Sequence, residues 1–134
     1  MTTQQIPLQL KLKEQNTFSN FFGEKNLQLT QTLKEVCSYN PSAQEKYIYL
    51  WGNTQSGRTH LLQACCHQTN THGEPCFYLA GQPQLSPDIL ENLEHYKLIC
   101  IDDVDKLLNH SRWEESLFHL FNKTKEQETT LIIS

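Results

Sequence analysis

The 134-residue chain carries 11 Lys and Arg against 15 Asp and Glu, a formal net charge of −4. That balance argues against a strongly basic nucleic-acid-binding face, while leaving a local one open. The length suits one small domain with a real core. No apolar run can span a bilayer and the N-terminus carries no charged-then-apolar secretion signal, so a soluble, cytoplasmic domain is expected. Five cysteines, Cys37, Cys65, Cys66, Cys76 and Cys100, are odd in number and form no Cys-x-x-Cys pair, which supports neither a disulfide framework nor a zinc site. The six histidines are scattered without ligand spacing. His60 and His67 lie seven apart on one expected helix and read as ordinary surface or helix-end residues.

In chain order, residues 1–16 are polar, Gln- and Lys-rich, with spaced aliphatics, which predicts an extended arm. Leu27 to Tyr39 reads as a helix with Leu29, Leu33 and Val36 along one side, ended by Asn40-Pro41-Ser42. A strand over 47–51, a glycine loop and a helix from near Thr59 to about Asn70 follow. Residues 71–75 are a turn and Cys76 to Ala80 a short strand. A loop over 81–87, a brief helix from Asp88 to His95 and a strand over 97–103 come next. Ser111 to Lys125 reads as a helix burying Trp113, Leu117, Leu120 and Phe121, and Thr129 to Ser134 begins another strand. This alternation predicts an α/β fold of three layers around a parallel sheet, without internal repeats.

The densest information lies in Tyr47-Ile48-Tyr49-Leu50-Trp51 and the residues after it, Gly52-Asn53-Thr54-Gln55-Ser56-Gly57-Arg58-Thr59-His60. A β-prone run enters Gly-x-x-x-x-Gly and a helix leaves it, the pattern of a phosphate-binding P-loop. Glycines allow the loop to turn its N–H groups inward around a polyphosphate, and the helix N-terminus adds positive potential. Thr59 would offer its hydroxyl to Mg²⁺. Arg58 stands where lysine is expected; it keeps the charge, but it is planar and forked, a swap that is not conservative at a tight site. The plain alternative is a glycine turn between a strand and a helix.

A second segment, Lys97-Leu98-Ile99-Cys100-Ile101-Asp102-Asp103, is an apolar run of buried-strand type closing on two acids. In P-loop proteins such a strand delivers an aspartate to the magnesium shell, a role expected here of Asp102. Asp103 is the candidate catalytic residue, standing where many such ATPases place a water-activating glutamate one methylene longer. Two acids after a strand can also merely cap the next helix or face solvent.

These residues together resemble the ATPase domain of DnaA-type bacterial replication initiators, in the AAA+ superfamily, and within it the Hda-like regulatory branch. The likeness runs from the first residues to the last. Thr17-Phe18-Ser19-Asn20-Phe21 resembles the T-F-x-x-F segment that lies beside the adenine in that family, which implies Phe18 and Phe21 as cofactor contacts. The loop with Arg58, then Thr59-His60-Leu61-Leu62, resembles the Hda-like P-loop, and Leu98 to Asp102 the Walker B strand. Trp113-Glu114 with Leu117-Phe118 and Leu120-Phe121-Asn122 is similar to the helix that follows. Gln5-Ile6-Pro7-Leu8-Gln9-Leu10 resembles the clamp-binding peptide of that branch, in which Gln5 contacts the rim and Ile6, Leu8 and Leu10 enter an apolar groove on the DNA polymerase sliding clamp.

The resemblance divides the chain into a clamp-binding arm over 1–16 and a partial AAA+ domain over 17–134. In the family, further sensor, arginine-finger and lid regions follow the point reached at Ser134. A sheet edge beside the P-loop strand is therefore expected to stand exposed. The implied cofactors are ADP or ATP with Mg²⁺. The implied partners are DnaA and the clamp, with DNA reached indirectly through the clamp and oligomerisation left open. The implied function is an adaptor that makes DnaA hydrolyse its ATP and so represses re-initiation, itself at most a weak ATPase. An active ATPase switch of initiator or helicase-loader type, and a nucleotide-free remnant that only folds, are the competing readings.

Overall fold

The computed structural model describes residues 12–21, 27–37, 47–51, 55–93, 95–108 and 111–134. Within them, helices and strands alternate as α1 (Leu27–Cys37), β1 (Tyr47–Tyr49), α2 (Gln55–Thr71), β2 (Cys76–Ala80), β3 (Leu98–Asp102), α3 (Ser111–Gln127) and β4 (Thr130–Ile133). The strands form one parallel sheet in the order β1-β4-β3-β2. The expected three-layer α/β architecture is therefore the observed one.

Side chains alternate across a strand, so each strand divides its apolar residues between two cores. Cys76 and Tyr78 of β2, Leu98 and Cys100 of β3 and Ile132 of β4 face α1 and α2, where Leu33, Cys37, Leu61, Leu62, Cys65 and Cys66 meet them. Phe77, Leu79, Ile99, Ile101 and Leu131 face the other way, onto Leu90, Leu93, Trp113 and Leu120. Each such large apolar side chain taken from water contributes about 1.5–3 kcal/mol before chain entropy is counted. The same alternation sets the site. Asp102 shares the parity of Leu98 and Cys100, so β3 turns it toward α2.

Some boundaries differ from expectation. Helix α2 starts at Gln55, so Gly57, Arg58 and Thr59 lie in its opening turns. First-turn residues lack an i−4 partner in any case, so low-propensity Ser and Gly are tolerated there and hide the start. The brief helix expected over 88–95 is a 3₁₀ turn, Pro87–Leu90. Ser86 caps it by accepting from the Asp88 amide, and it closes before Asn92, which is left-handed at φ 62°. The last two residues of the expected first helix, Ser38 and Tyr39, fall outside the described residues. On α3, Trp113 and Leu120 are buried, whereas Leu117 and Phe121 are only partly covered.

That partial cover has a cause. β1 ends the sheet beside β4, and Tyr47 and Tyr49 are exposed on it. With Leu117, Phe118, Phe121 and Ile133 they line an apolar groove of about 490 Å³. Among the described residues no strand pairs with the outer edge of β1.

Candidate functional site

Thr59 on α2 and Asp102 at the end of β3 meet. The Thr59 hydroxyl donates to Asp102 Oδ2 at 2.6 Å, across 43 residues of sequence. Two more hydroxyls converge on the same carboxylate: Tyr78 Oη donates to Oδ2 at 2.8 Å and Ser134 Oγ to Oδ1 at 2.7 Å. Asp102 is 2 % exposed, and three donors satisfy it where water cannot. Burial, with the Asp102 charge adding to it, pushes the Tyr78 phenol well above its ordinary range, which keeps it a donor.

The backbone around Asp102 is equally constrained. Its carbonyl accepts from the Gly81 amide at 2.7 Å, and the Val104 amide donates to the Ser134 carbonyl at 2.8 Å. Between them Asp103 takes a left-handed conformation, φ 55° and ψ 48°, which Asp tolerates better than most residues. Its carboxylate lies 3.6 Å from Lys106 Nζ. The two acids therefore diverge: Asp102 turns inward to α2, and Asp103 pairs along the following 3₁₀ turn, Val104–Lys106.

A strap formed by residues 12–21 crosses α2. Gln63 Oε1 accepts from the Lys13 amide and from Asn16 Nδ2, both at 3.0 Å. His60 Nε2 donates to the Thr17 carbonyl at 2.7 Å, and His67 Nε2 to the Lys13 carbonyl at 3.0 Å. Phe21 packs edge-on against the His60 ring, with centroids 5.3 Å apart. Phe18, itself part of the strap, is buried in the core, with Lys34 Nζ 5.8 Å from its ring centre. His60 and His67, read from the sequence as ordinary surface or helix-end residues, both fasten the strap. Seven residues put them on one helix face, two turns apart. Their partners are backbone carbonyls, which spacing and composition do not reveal.

The structure thus gathers Phe21 and His60 near the N-terminal end of α2, next to Thr59 and its partner Asp102, and the strap runs on along the helix to His67. Gly57 and Arg58 belong to the same opening turns, and Gln55 and Ser56 begin the helix. Gly52, Asn53 and Thr54 lie outside the described residues, as do Gln5, Ile6, Leu8 and Leu10. The donor set fits Mg²⁺: a threonine hydroxyl and a carboxylate are hard oxygen ligands, and 2.6 Å between them lets both approach one cation.

Comparison with solved structures decides the fold class. The chain superimposes on replication initiator DnaA bound to AMPPCP and single-stranded DNA with a TM-score of 0.76, at 23% identity, over 92% of this chain and 42% of that one. AMPPCP-bound DnaA from Aquifex aeolicus gives a TM-score of 0.73 at 26% identity, with the same coverage of each chain. Domain III of the Thermotoga maritima replication initiation protein DnaA gives 0.68 at 19% identity, covering 91% of this chain and 56% of that chain. The fold is that of the DnaA AAA+ domain. An uncharacterized protein of Haemophilus influenzae is 33% identical over 131 residues, 96% of this chain and 55% of that protein. The chain therefore spans about half the length of the curated relative and less than half of the two AMPPCP-bound DnaA chains. No family model matches it.

Within this DnaA-type fold, four residues of the site escaped the sequence reading: Gln63, Tyr78, Gly81 and Ser134. Tyr78 was findable. Parallel register pairs it with Cys100, two residues before Asp102, so it sits on the same face with a side chain long enough to reach the carboxylate. Ser134 likewise follows a strand that pairs with β3. Gln63 and Gly81 carry no local signal, because their roles are set by segments distant in sequence.

Proposed function

We propose that this chain is a nucleotide-binding regulator: an Hda-like adaptor that docks on the DNA polymerase sliding clamp and promotes ATP hydrolysis by DnaA, repressing re-initiation. The observation that carries nucleotide binding is the meeting of Thr59 and Asp102 at the N-terminal end of α2. Two of the solved DnaA neighbours hold AMPPCP, which supports the same use of this fold here. Arg58, Gly57 and the glycine loop would receive the phosphates of ADP or ATP, and Phe18 and Phe21 would border the base. Bound there, Mg²⁺ would neutralise phosphate charge. Thr59 and Asp102 would orient it, while Tyr78 and Ser134 hold the carboxylate in place.

The regulator reading is favoured over an active switch by Asp103, whose carboxylate is engaged by Lys106 and turned from Asp102. Anchoring through Gln5, Ile6, Leu8 and Leu10 would raise local concentration near DNA-bound DnaA, so the adaptor's effect would be positional. DNA would be reached through the clamp. No helix among the described residues is long and apolar enough to cross a membrane, which is compatible with action in the cytoplasm. Titration of the chain with fluorescent ADP, with and without Mg²⁺, tests the site: saturable binding that Asp102→Asn weakens is expected, and no binding refutes it. Capture on immobilised clamp, lost in Ile6→Ala/Leu8→Ala, tests the partner; capture unaffected by that double change rejects the arm.

The switch reading retains one favourable observation, the complete Thr59–Asp102–Ser134 cluster. Sustained phosphate release abolished by Asp103→Asn would support it over the adaptor.

A further inference from the structure

The Asp102 carboxylate is crowded with donors on the side where a cation would meet it. An ionised carboxylate offers about four acceptor sites, roughly two on each oxygen. Oδ1 receives Ser134 at 2.7 Å, whereas Oδ2 receives both Thr59 at 2.6 Å and Tyr78 at 2.8 Å. The oxygen that Thr59 shares is therefore full before any cation arrives. The donors also differ in freedom. The short Thr59 and Ser134 hydroxyls turn with little displacement of their neighbours. Tyr78 is held by its ring. Parallel pairing sets it opposite Cys100, two residues before Asp102, and it is buried in the core layer formed with α1 and α2. Its oxygen cannot withdraw from Oδ2 without moving that ring through close-packed surroundings. Turning the O–H away would deprive a buried hydroxyl of this acceptor.

We propose that Tyr78 is a specificity-determining residue that competes with a divalent cation for Asp102 Oδ2, so that the Thr59–Asp102 site takes Mg²⁺ with a nucleotide and not Mg²⁺ alone. The inference rests on the nucleotide reading above and adds a selectivity to it. Two effects act together. With three hydroxyls donating to it, the buried carboxylate is satisfied when no cation is present. When the Thr59 hydroxyl turns toward a cation, Oδ2 still holds the phenol proton, which divides the charge the cation would otherwise meet whole. Mg²⁺ sheds its waters reluctantly, and one hydroxyl with one shared carboxylate oxygen does not offset that loss. Phosphate oxygens supply the remaining attraction, so cation and nucleotide are held together. Ser134 donates to the other oxygen and stands outside this competition.

Melting curves of the full chain in EDTA, in Mg²⁺ alone and in Mg·ADP test the competition. The unmodified protein is expected to melt at the same temperature in EDTA and in Mg²⁺ alone, and higher in Mg·ADP. Tyr78→Phe removes only the hydroxyl. It should melt lower in EDTA and rise in Mg²⁺ alone, with an apparent Mg²⁺ affinity on the order of tenfold tighter than that of the unmodified protein. Ser134→Ala should also melt lower in EDTA, yet gain no response to Mg²⁺ alone. A Tyr78→Phe variant that is unfolded in EDTA and folded in Mg²⁺ supports the competition equally; one unfolded in both marks a merely structural phenol and overturns it. So does a Tyr78→Phe response to Mg²⁺ no larger than that of the unmodified protein, or an equal gain in Ser134→Ala. Stabilisation of the unmodified protein by Mg²⁺ alone as large as that by Mg·ADP also overturns the proposal. Failure of Mg·ADP to stabilise the unmodified protein, with Tyr78→Phe responding to Mg²⁺ alone, would instead refute the nucleotide reading and leave the competition standing.

Discussion

Gly81 is the position where the least added mass should do the most harm. It follows β2, is buried, and its amide holds the Asp102 carbonyl at 2.7 Å. A Cβ there would lie 2.3 Å from the Asp103 carbonyl oxygen, 3.0 Å from that of Asp102 and 3.1 Å from the Asp103 carbonyl carbon. The first contact falls about 0.7 Å short of the 3.0 Å below which something must shift. The obstacle is backbone, so no rotamer change relieves it. Displacing the Asp102–Asp103 peptide also strains the Val104 amide bond to Ser134, which helps set the carboxylate. Gly81→Ala is expected to cost about 2–3 kcal/mol, the upper part of the overpacking range. For a chain of this size that lowers Tm by roughly 6–12 °C. Gly73→Ala is the control: Gly73 has φ 77° but open space around its Cβ, so only conformational strain applies, about 1 kcal/mol. Calorimetry should rank the two, and Mg²⁺-dependent ADP affinity should fall in Gly81→Ala alone. A Gly81→Ala melting point within about 2 °C of the unmodified protein, or no lower than Gly73→Ala, would refute the contact argument.

The buried thiols carry a pH dependence. Burial raises Cys65 and Cys66 well above the ordinary 9.0 and pushes Cys100 up to about 11, so the folded state holds thiol protons that the unfolded chain releases. That stability is whole below about pH 9 and falls as pH rises toward the folded values, on the order of 2 kcal/mol for Cys100. Melting curves from pH 7 to 11 should show the decline, and Ellman's reagent should label these cysteines rapidly only after unfolding. Arg58→Ala should weaken ADP binding by about tenfold or more and Arg58→Lys, which keeps the charge but not the planar fork, by less, checked by the same fluorescence titration. Asp103→Val should lose about 1–2 kcal/mol more than Asp103→Asn in urea unfolding, because a β-branched residue tolerates the left-handed conformation poorly.

Much of the architecture was legible because periodicity is local. Cys76–Ala80 matched residue for residue, and Leu98–Asp102 and Ser111–Gln127 matched to within two residues at either end. The start of α2 was not, since Ser56 and Gly57 are poor helix formers. The strap was not either, because its hold on α2 uses Gln63 and two histidines whose targets are backbone groups some fifty residues away.

By itself the sequence determined an alternating α/β chain, a glycine loop running into Arg58 and Thr59, and a hydrophobic strand closing on Asp102. Those features depend on side-chain period and local backbone freedom, which neighbours along the chain dictate. The tertiary structure alone decided that Asp102 turns to Thr59 while Asp103 turns away to Lys106. It alone brought Tyr78 and Ser134 onto the Asp102 carboxylate and the strap onto Gln63. Parallel pairing and strap docking set those relations, and both join residues whose separation in sequence carries no information about their separation in space.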